Sequence, residues 1–433
     1  MSIKTSKRAE HELLLCCART RASEGVVARL RELAATGVDW EYVFLLARRH
    51  SVVPLLYLQL ERHASDLVPR EKLSELKKHY LENSARNTIL TAELCRLITL
   101  FAGSGIEAIP YKGPVLALFA YDNLALRRFV DLDIIVNQND VLKAREILLA
   151  DGYAPAKSLS LSQQELLIHT QHNLQFSRDN NRLIVELHWE VAPHLFAETV
   201  DAETLWQNLV TIDLNGTQVK TLSAEDLLFS LCVHGSRHLW ERLGWICDVA
   251  ELISRRSVDW NALLKRAMAA DSERMFLLGL YLAEHLLDAP LPPEVKQRCD
   301  ADERLPSLAE NIVEHLFSGT THVPATSREI FKYNLGVRKT LSARARYLLH
   351  MLRPTDSDLG ARELPAKLSF AYYLVRPFRL LFRSGITRNQ TCEAGDSIKP
   401  GAQAPGSKRK HQCEPAQAGD SAAARSAGWN SQS

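Results

Sequence analysis

The hydrophobic period of this chain changes twice, and those two changes bound the folds open to it. From about residue 10 to 100, apolar residues such as Leu13, Leu14, Val27, Leu30, Leu33, Val43, Leu46, Leu55 and Leu58 recur every three or four positions. That spacing turns one face of a helix toward a core. Residues 84–102 continue as one amphipathic helix ending near Gly103 and Gly105, which are suited to leaving a helix. Then the period shortens. Residues 106–111 are a short apolar run, 114–121 read as a helix, 131–136 alternate as a strand does, and 140–149 are helical again before Gly152. Two further strands, 174–177 and 182–191, flank the turn cluster Arg178-Asp-Asn-Asn181. At Ser223-Ala-Glu-Asp226, an N-cap with an acidic first turn, the helical period returns.

This order predicts an α+β fold, a small mixed sheet embedded between N- and C-terminal helical regions. The expected divisions are a helical region over 1–95, the sheet-bearing core over 96–215 and a helical domain over 216–384. Residues 385–433 are rich in Ser, Gly, Ala, Gln and Pro and too poor in apolar side chains to offset their ordering entropy, so a disordered tail is expected there.

Charge and cysteine usage exclude several functions. The 53 basic and 51 acidic residues leave a net charge of +2, so no global field gathers nucleic acid, and any basic function must be local. Eight cysteines lie scattered without a C-x-x-C pair or zinc-ligand spacing, which reads as free thiols in a reducing compartment. The first twenty residues lack the apolar stretch of a signal peptide, and no window reaches the roughly 18 to 20 apolar residues of a membrane span. A cytoplasmic protein is expected. Residues 367–383 combine aromatic, apolar and basic side chains; they read as a peripheral membrane-surface helix or as a core helix with a basic end, kinked at Pro377.

The chemistry gathers in two strands. Strand alternation points Asp131 and Asp133 the same way, with Leu132 and Ile134 toward the core. Two adjacent carboxylates repel unless a cation sits between them, and hard oxygen ligands suit Mg²⁺ or Mn²⁺. On these grounds, removing both charges is expected to leave stability unchanged or slightly raised. In residues 182–190, Val185, Leu187 and Trp189 share one face and Ile184, Glu186, His188 and Glu190 the other. A carboxylate among strong strand formers is costly unless its face meets solvent, a partner or a metal, and Glu186 is the third candidate ligand. His234 and His238 lie four apart, as zinc ligands on a helix do, but no acid or third ligand accompanies them. They read, with Asp248, as residues that orient helices or line the acceptor side of a cleft. Trp240 and Trp245 read as core residues.

The ordered set resembles the DNA polymerase β-like nucleotidyltransferase superfamily, and within it the bacterial uncharacterised nucleotidyltransferase family often found with exopolysaccharide gene clusters. It comprises Lys112-Gly113, Arg128 with Asp131-Leu-Asp133-Ile-Ile-Val136, Glu186-Leu-His188-Trp189, and Ser223-Ala-Glu-Asp226 leading to His234 and Trp245-Ile-Cys-Asp248. The resemblance covers about residues 40 to 290. It implies a metal-dependent transfer of a nucleoside monophosphate from a nucleoside triphosphate to an acceptor hydroxyl of unknown identity, or alternatively a catalytically inactive scaffold on the same fold. Asp131, Asp133 and Glu186 then match the catalytic, metal-binding carboxylates. Gly113 matches the glycine of the phosphate-facing turn, while Lys112 and Arg128 bring positive charge to the nucleotide. The chain departs from the superfamily pattern at Lys112-Gly113-Pro114, where a Gly-Gly or Gly-Ser pair is usual. Pro114 has no N–H to offer but fits the first turn of a helix.

Overall fold

The computed structural model describes residues 8–156, 168, 172–190, 202–321 and 325–351. The expected tail and the basic aromatic segment 367–383 lie outside the described residues. All described residues fall within one compact unit.

Helices α1 (Ala9–Cys17), α2 (Glu24–Ala35), α3 (Trp40–Arg49) and α4 (Val53–His63) form the N-terminal layer. Ser23 and Asp39 cap α2 and α3, each accepting a backbone N–H of the first turn. Helix α5 runs from Arg70 to Gly103, starting well before the stretch its apolar period marks. Its first half buries little beyond Leu76, whereas Leu90, Leu94, Leu97 and Phe101 in its second half are buried under the sheet.

Five strands form the mixed sheet: β1 (Ala108–Pro110), β2 (Leu132–Val136), β3 (Ala154–Pro155), β4 (Asn173–Arg178) and β5 (Leu183–His188), in the order β1-β2-β5-β4-β3. Only the β2/β5 pair is parallel. Helix α6 (Gly113–Tyr121) connects β1 toward β2, and α7 (Val141–Ala150) follows β2. The β4–β5 hairpin turns through Asp179, Asn180 and Asn181, all with positive φ, a conformation that Asp and Asn tolerate better than other non-glycine residues. Helix α8 (Ala202–Gln207) precedes a separate hairpin of β6 (Val210–Leu214) and β7 (Thr217–Thr221), which turns at Asn215-Gly216.

Strand alternation divides the sheet's two faces between two cores. Leu132, Ile134, Val136, Val185 and Leu187 pack with the second half of α5 and with α7. Ile109, Tyr111 and Ile135 join a larger core built from the N-terminal layer and the C-terminal helices α9 (Ala224–Arg237), α10 (Leu243–Arg255), α11 (Trp260–Ala269) and α12 (Glu273–Leu287). Ser223 caps α9 as its sequence suggests, accepting from the N–H of Asp226. Trp240 is fully buried, seated against Gly235 of α9 and Gly279 of α12, where a Cβ would lie 2.4 Å and 2.9 Å from its ring. The described cysteines are free thiols, and no helix among the described residues is long and apolar enough to cross a membrane.

Candidate functional site

In the parallel β2/β5 ladder Asp133 stands opposite Glu186 and Ile135 opposite His188. Because alternate residues share a face, Asp133, Glu186 and His188 all project toward the C-terminal helices, opposite to Leu132, Ile134 and Leu187. The three side chains are 5 %, 8 % and 4 % exposed, so their charges interact in a medium far less screening than water.

His188 Nε2 lies 3.2 Å from Asp133 Oδ1 and 3.4 Å from Glu186 Oε2. Lys112 Nζ donates to the same Asp133 oxygen at 3.1 Å, and Asn173 Nδ2 on β4 donates to Glu186 Oε2, also at 3.1 Å. Burial works against ionisation of Asp133, but Lys112 and His188 outweigh it and hold the carboxyl well below its ordinary range. For His188 burial favours the neutral ring, but the two carboxylates prevail and raise its pKa. The Tyr111 ring meets His188 edge-on at 5.5 Å, and burial raises its phenol.

Asp133, Glu186 and His188 each offer one ligand atom within 4.8 Å of the others, and among the described residues they are the one such set. Two carboxylate oxygens and an imidazole nitrogen converging on one point fit a divalent cation. The other ring nitrogen of His188, Nδ1, is buried without a hydrogen-bond partner, so its tautomer is fixed from the Nε2 side alone.

Asp133 and Glu186 meet as expected. Asp131 sits one residue before β2, half-buried, and is not one of the three converging ligands. Lys112 lies beside Asp133. Gly113 has φ +52°, and a Cβ there would lie 3.3 Å from the Asp131 carbonyl oxygen, so the turn needs a residue without a side chain. Gly113→Ala is expected to lower stability by about 1–2 kcal/mol, read by urea denaturation. An unchanged midpoint would mean that the turn relaxes without strain.

Arg127 and Arg128, adjacent in sequence, have different surroundings. Arg127 makes a two-pronged contact with Asp248 on α10, Nε to Oδ1 at 2.8 Å and Nη2 to Oδ2 at 3.0 Å, and Tyr121 Oη donates to Asp248 Oδ1 at 2.7 Å. Asp248 thus anchors the segment leading into β2. Asn83 and Asn87 of α5 hold the same segment, both donating to the Arg127 carbonyl, at 3.3 Å and 2.8 Å. The charges facing Arg128 are instead Arg86, Arg242 and Arg48.

The His234 and His238 rings lie 4.6 Å apart, tilted by 52°, each about 5.4 Å or less from the Trp245 ring. They belong to no metal-holding set among the described residues. Trp240 is core, as expected, while Trp245 is only partly buried and lines a small cavity. Sequence reasoning did not assign His188, although alternation already put it beside Glu186. Asn173, His172 and Arg237, whose Nη1 lies 2.9 Å from His172 Nε2, gave no local signal.

The small mixed sheet with paired acids on neighbouring parallel strands, flanked by helices, defines a protein of nucleotidyltransferase type. Residues 36–288 match the family described as uncharacterised nucleotidyltransferase. That is more than half of the chain, and the chain belongs to this family of transferases. It is also similar to the crystal structure of an antigenic nucleotidyltransferase-like protein from Paracoccidioides brasiliensis, with 15 % identity over 48 % of this chain and 93 % of that one, at a TM-score of 0.30. No curated protein matches the chain.

Proposed function

We propose that the protein transfers a nucleoside monophosphate from a nucleoside triphosphate to an acceptor hydroxyl, with pyrophosphate leaving. The observation that carries this reading is the convergence of Asp133, Glu186 and His188 on one face of the sheet of a nucleotidyltransferase family member. Asp133 and Glu186 would hold a divalent cation, with Asp131 at the entry to β2 as a further carboxylate. When bound, such an ion neutralises phosphate charge and acidifies the acceptor hydroxyl. Carboxylates suit Mg²⁺ or Mn²⁺, and the His188 nitrogen adds affinity for a transition ion such as Mn²⁺.

The protein's own groups supply the rest. Lys112, resting on Asp133, is the nearest ammonium and would pass to a phosphate oxygen once the carboxylates are otherwise engaged. Asn173 fixes Glu186, which would take the proton of the acceptor hydroxyl. Gly113 exposes the backbone at the start of α6, where a helix N-terminus favours an anion. The cytoplasm supplies nucleoside triphosphates, and the acceptor is a small molecule, a sugar such as an exopolysaccharide precursor, a protein or an RNA end.

A non-catalytic scaffold is the second reading. One observation favours it: Asp133 already has its charge matched by Lys112, at a turn where Pro114 has no N–H for a phosphate. Incubating the full chain with each labelled triphosphate, cell extract and either Mg²⁺ or Mn²⁺ separates the two. Ion-dependent labelling of an acceptor is the expected result. No labelling, together with no metal-dependent triphosphate binding by calorimetry, would leave the scaffold.

A further inference from the structure

A small cavity lies where the N-terminal layer meets α10 and the segment entering β2. Its wall includes Ser51, Arg127, Arg128, Arg242, Gly244 and Trp245. The backbone builds it tightly: Gly244 N–H donates to the His50 carbonyl at 3.1 Å, and a Cβ on Gly244 would lie 2.9 Å from that oxygen. Ser51 lines it in a left-handed conformation, φ +61°. The Arg242 guanidinium lies 5.4 Å from the centre of the Trp245 ring, a cation–π distance that steadies it.

The charge on this wall is one-sided. Asp248, the carboxylate in the lining, is engaged by Arg127 and Tyr121. Arg128 makes no ion pair among the described residues, and the charges that face it are guanidiniums. Glu241, beside Arg242 and Arg49, offsets part of the field from outside the lining. Arg86 of α5, Arg48 of α3 and Arg242 at the start of α10 thus all bring positive charge to Arg128, and Arg242 shares the cavity wall with it. Like charges held together cost stability unless an opposite charge sits between them.

Size narrows the ligand. A cavity of about 40 Å³ holds roughly three waters, enough for one phosphate group and too little for a sugar or a base. Arg128, Arg242 and Trp245 are each half-buried, so the rest of a larger molecule can extend into solvent. Guanidiniums are the groups best matched to phosphate oxygens, through paired N–H donors.

We propose that this cavity is a phosphate-binding subsite, formed by Arg128 and Arg242 between the N-terminal layer and α10, that seats the terminal phosphate of a substrate. It shares no lining residue with the Asp133–Glu186–His188 cluster, although Arg127 in its wall feels the Asp133 charge. Its assignment to a substrate rests on the transferase reading above, but binding there needs no metal at the cluster. The phosphate comes either from the tail of a triphosphate or from a phosphorylated acceptor.

Calorimetry and thermal melting of the full chain in EDTA test this, using pyrophosphate and a hexose phosphate as probes with chloride of equal ionic strength as control. At least one probe should bind the wild type and raise its melting temperature. Arg128→Gln should weaken that binding about tenfold or more, the loss of a charge-assisted hydrogen bond. It should also melt at or above the wild-type temperature in anion-free buffer, because it removes a repelling charge. Preference for pyrophosphate assigns the site to the triphosphate tail, and preference for the hexose phosphate assigns it to the acceptor. Equal stabilisation by chloride, unchanged affinity in Arg128→Gln, or no binding of either probe would overturn the proposal. An Arg128→Gln protein melting several degrees lower would also overturn it by making Arg128 a structural residue, and Arg128→Lys, which keeps the charge but loses the paired donors, should then restore the melting temperature.

Discussion

Asp133→Asn is expected to lower nucleotidyl transfer by about two to three orders of magnitude, the size of effect seen when one preorganised electrostatic contact to the reacting group is removed. The neutral amide is a poor ligand for a hard cation, and the side chain sits where the ligand atoms converge. The same change should lower stability in the absence of metal. This reverses the expectation from sequence, where Asp131 and Asp133 read as a repelling pair whose removal is neutral or favourable. The structure gives Asp133 two cationic neighbours, Lys112 at 3.1 Å and His188 at 3.2 Å. Its folded pKa lies below its ordinary value, so the carboxylate stabilises the fold above the unfolded value and loses that contribution only as pH falls through the folded one. At neutral pH the amide forfeits this contribution and leaves Lys112 facing a neutral group, at a cost of about 1–3 kcal/mol. Steady-state assays paired with urea denaturation read both effects. A variant that melts like the wild type and still transfers label would remove Asp133 from the chemistry.

What the sequence made legible followed from period. Alternation over residues 131–136 and 182–190 placed Asp133 and Glu186 correctly on one face. It also placed His188 there, but a strand histidine gives no sign of its role until its neighbour across the ladder is known. The β6–β7 hairpin is readable in principle from Asn215-Gly216 between alternating strands. The first half of α5 is charged almost all round, so its period is faint, and it is carried by continuity with the buried half. The arginine cavity could not be seen at all. Its walls come from three segments far apart in the chain, around residues 51–55, 121–128 and 242–248; the sequence resemblance singles out Arg128, but nothing local joins it to Arg242. The difference between Arg127 and Arg128 is likewise tertiary, since only the fold brings Asp248 to one and not the other.

Lowering the pH should destabilise the protein through a histidine outside the Asp133–Glu186–His188 cluster. His50 is fully buried; its Nε2 meets the Leu316 carbonyl at 3.0 Å, and the Leu243 N–H donates to its Nδ1 at 3.2 Å. A carbonyl only accepts, so Nε2 carries the proton and Nδ1 must stay bare. An imidazolium would set N–H against N–H. Burial, reinforced by Arg49, moves the pKa down to about 3, although the Leu316 carbonyl pulls the other way. The unfolded chain takes up a proton near pH 6.5 and the native state does not, so this stability is complete above that value and drains away toward about pH 3. The slope is about 1.4 kcal/mol per pH unit, or about 3 kcal/mol by pH 4. His172, whose Nε2 faces the Arg237 guanidinium, has the same sign. His188 has the opposite sign, because its raised pKa favours the native state as the pH falls. The whole-protein slope therefore mixes these contributions, and His50→Asn isolates one of them. The amide oxygen can still accept from Leu243 but does not titrate. Urea denaturation of both proteins from about pH 7 to about pH 5 should show the variant less stable at neutral pH, with the gap narrowing by about 2 kcal/mol at the acid end. Parallel curves for the two proteins would mean that His50 is already able to protonate in the native state.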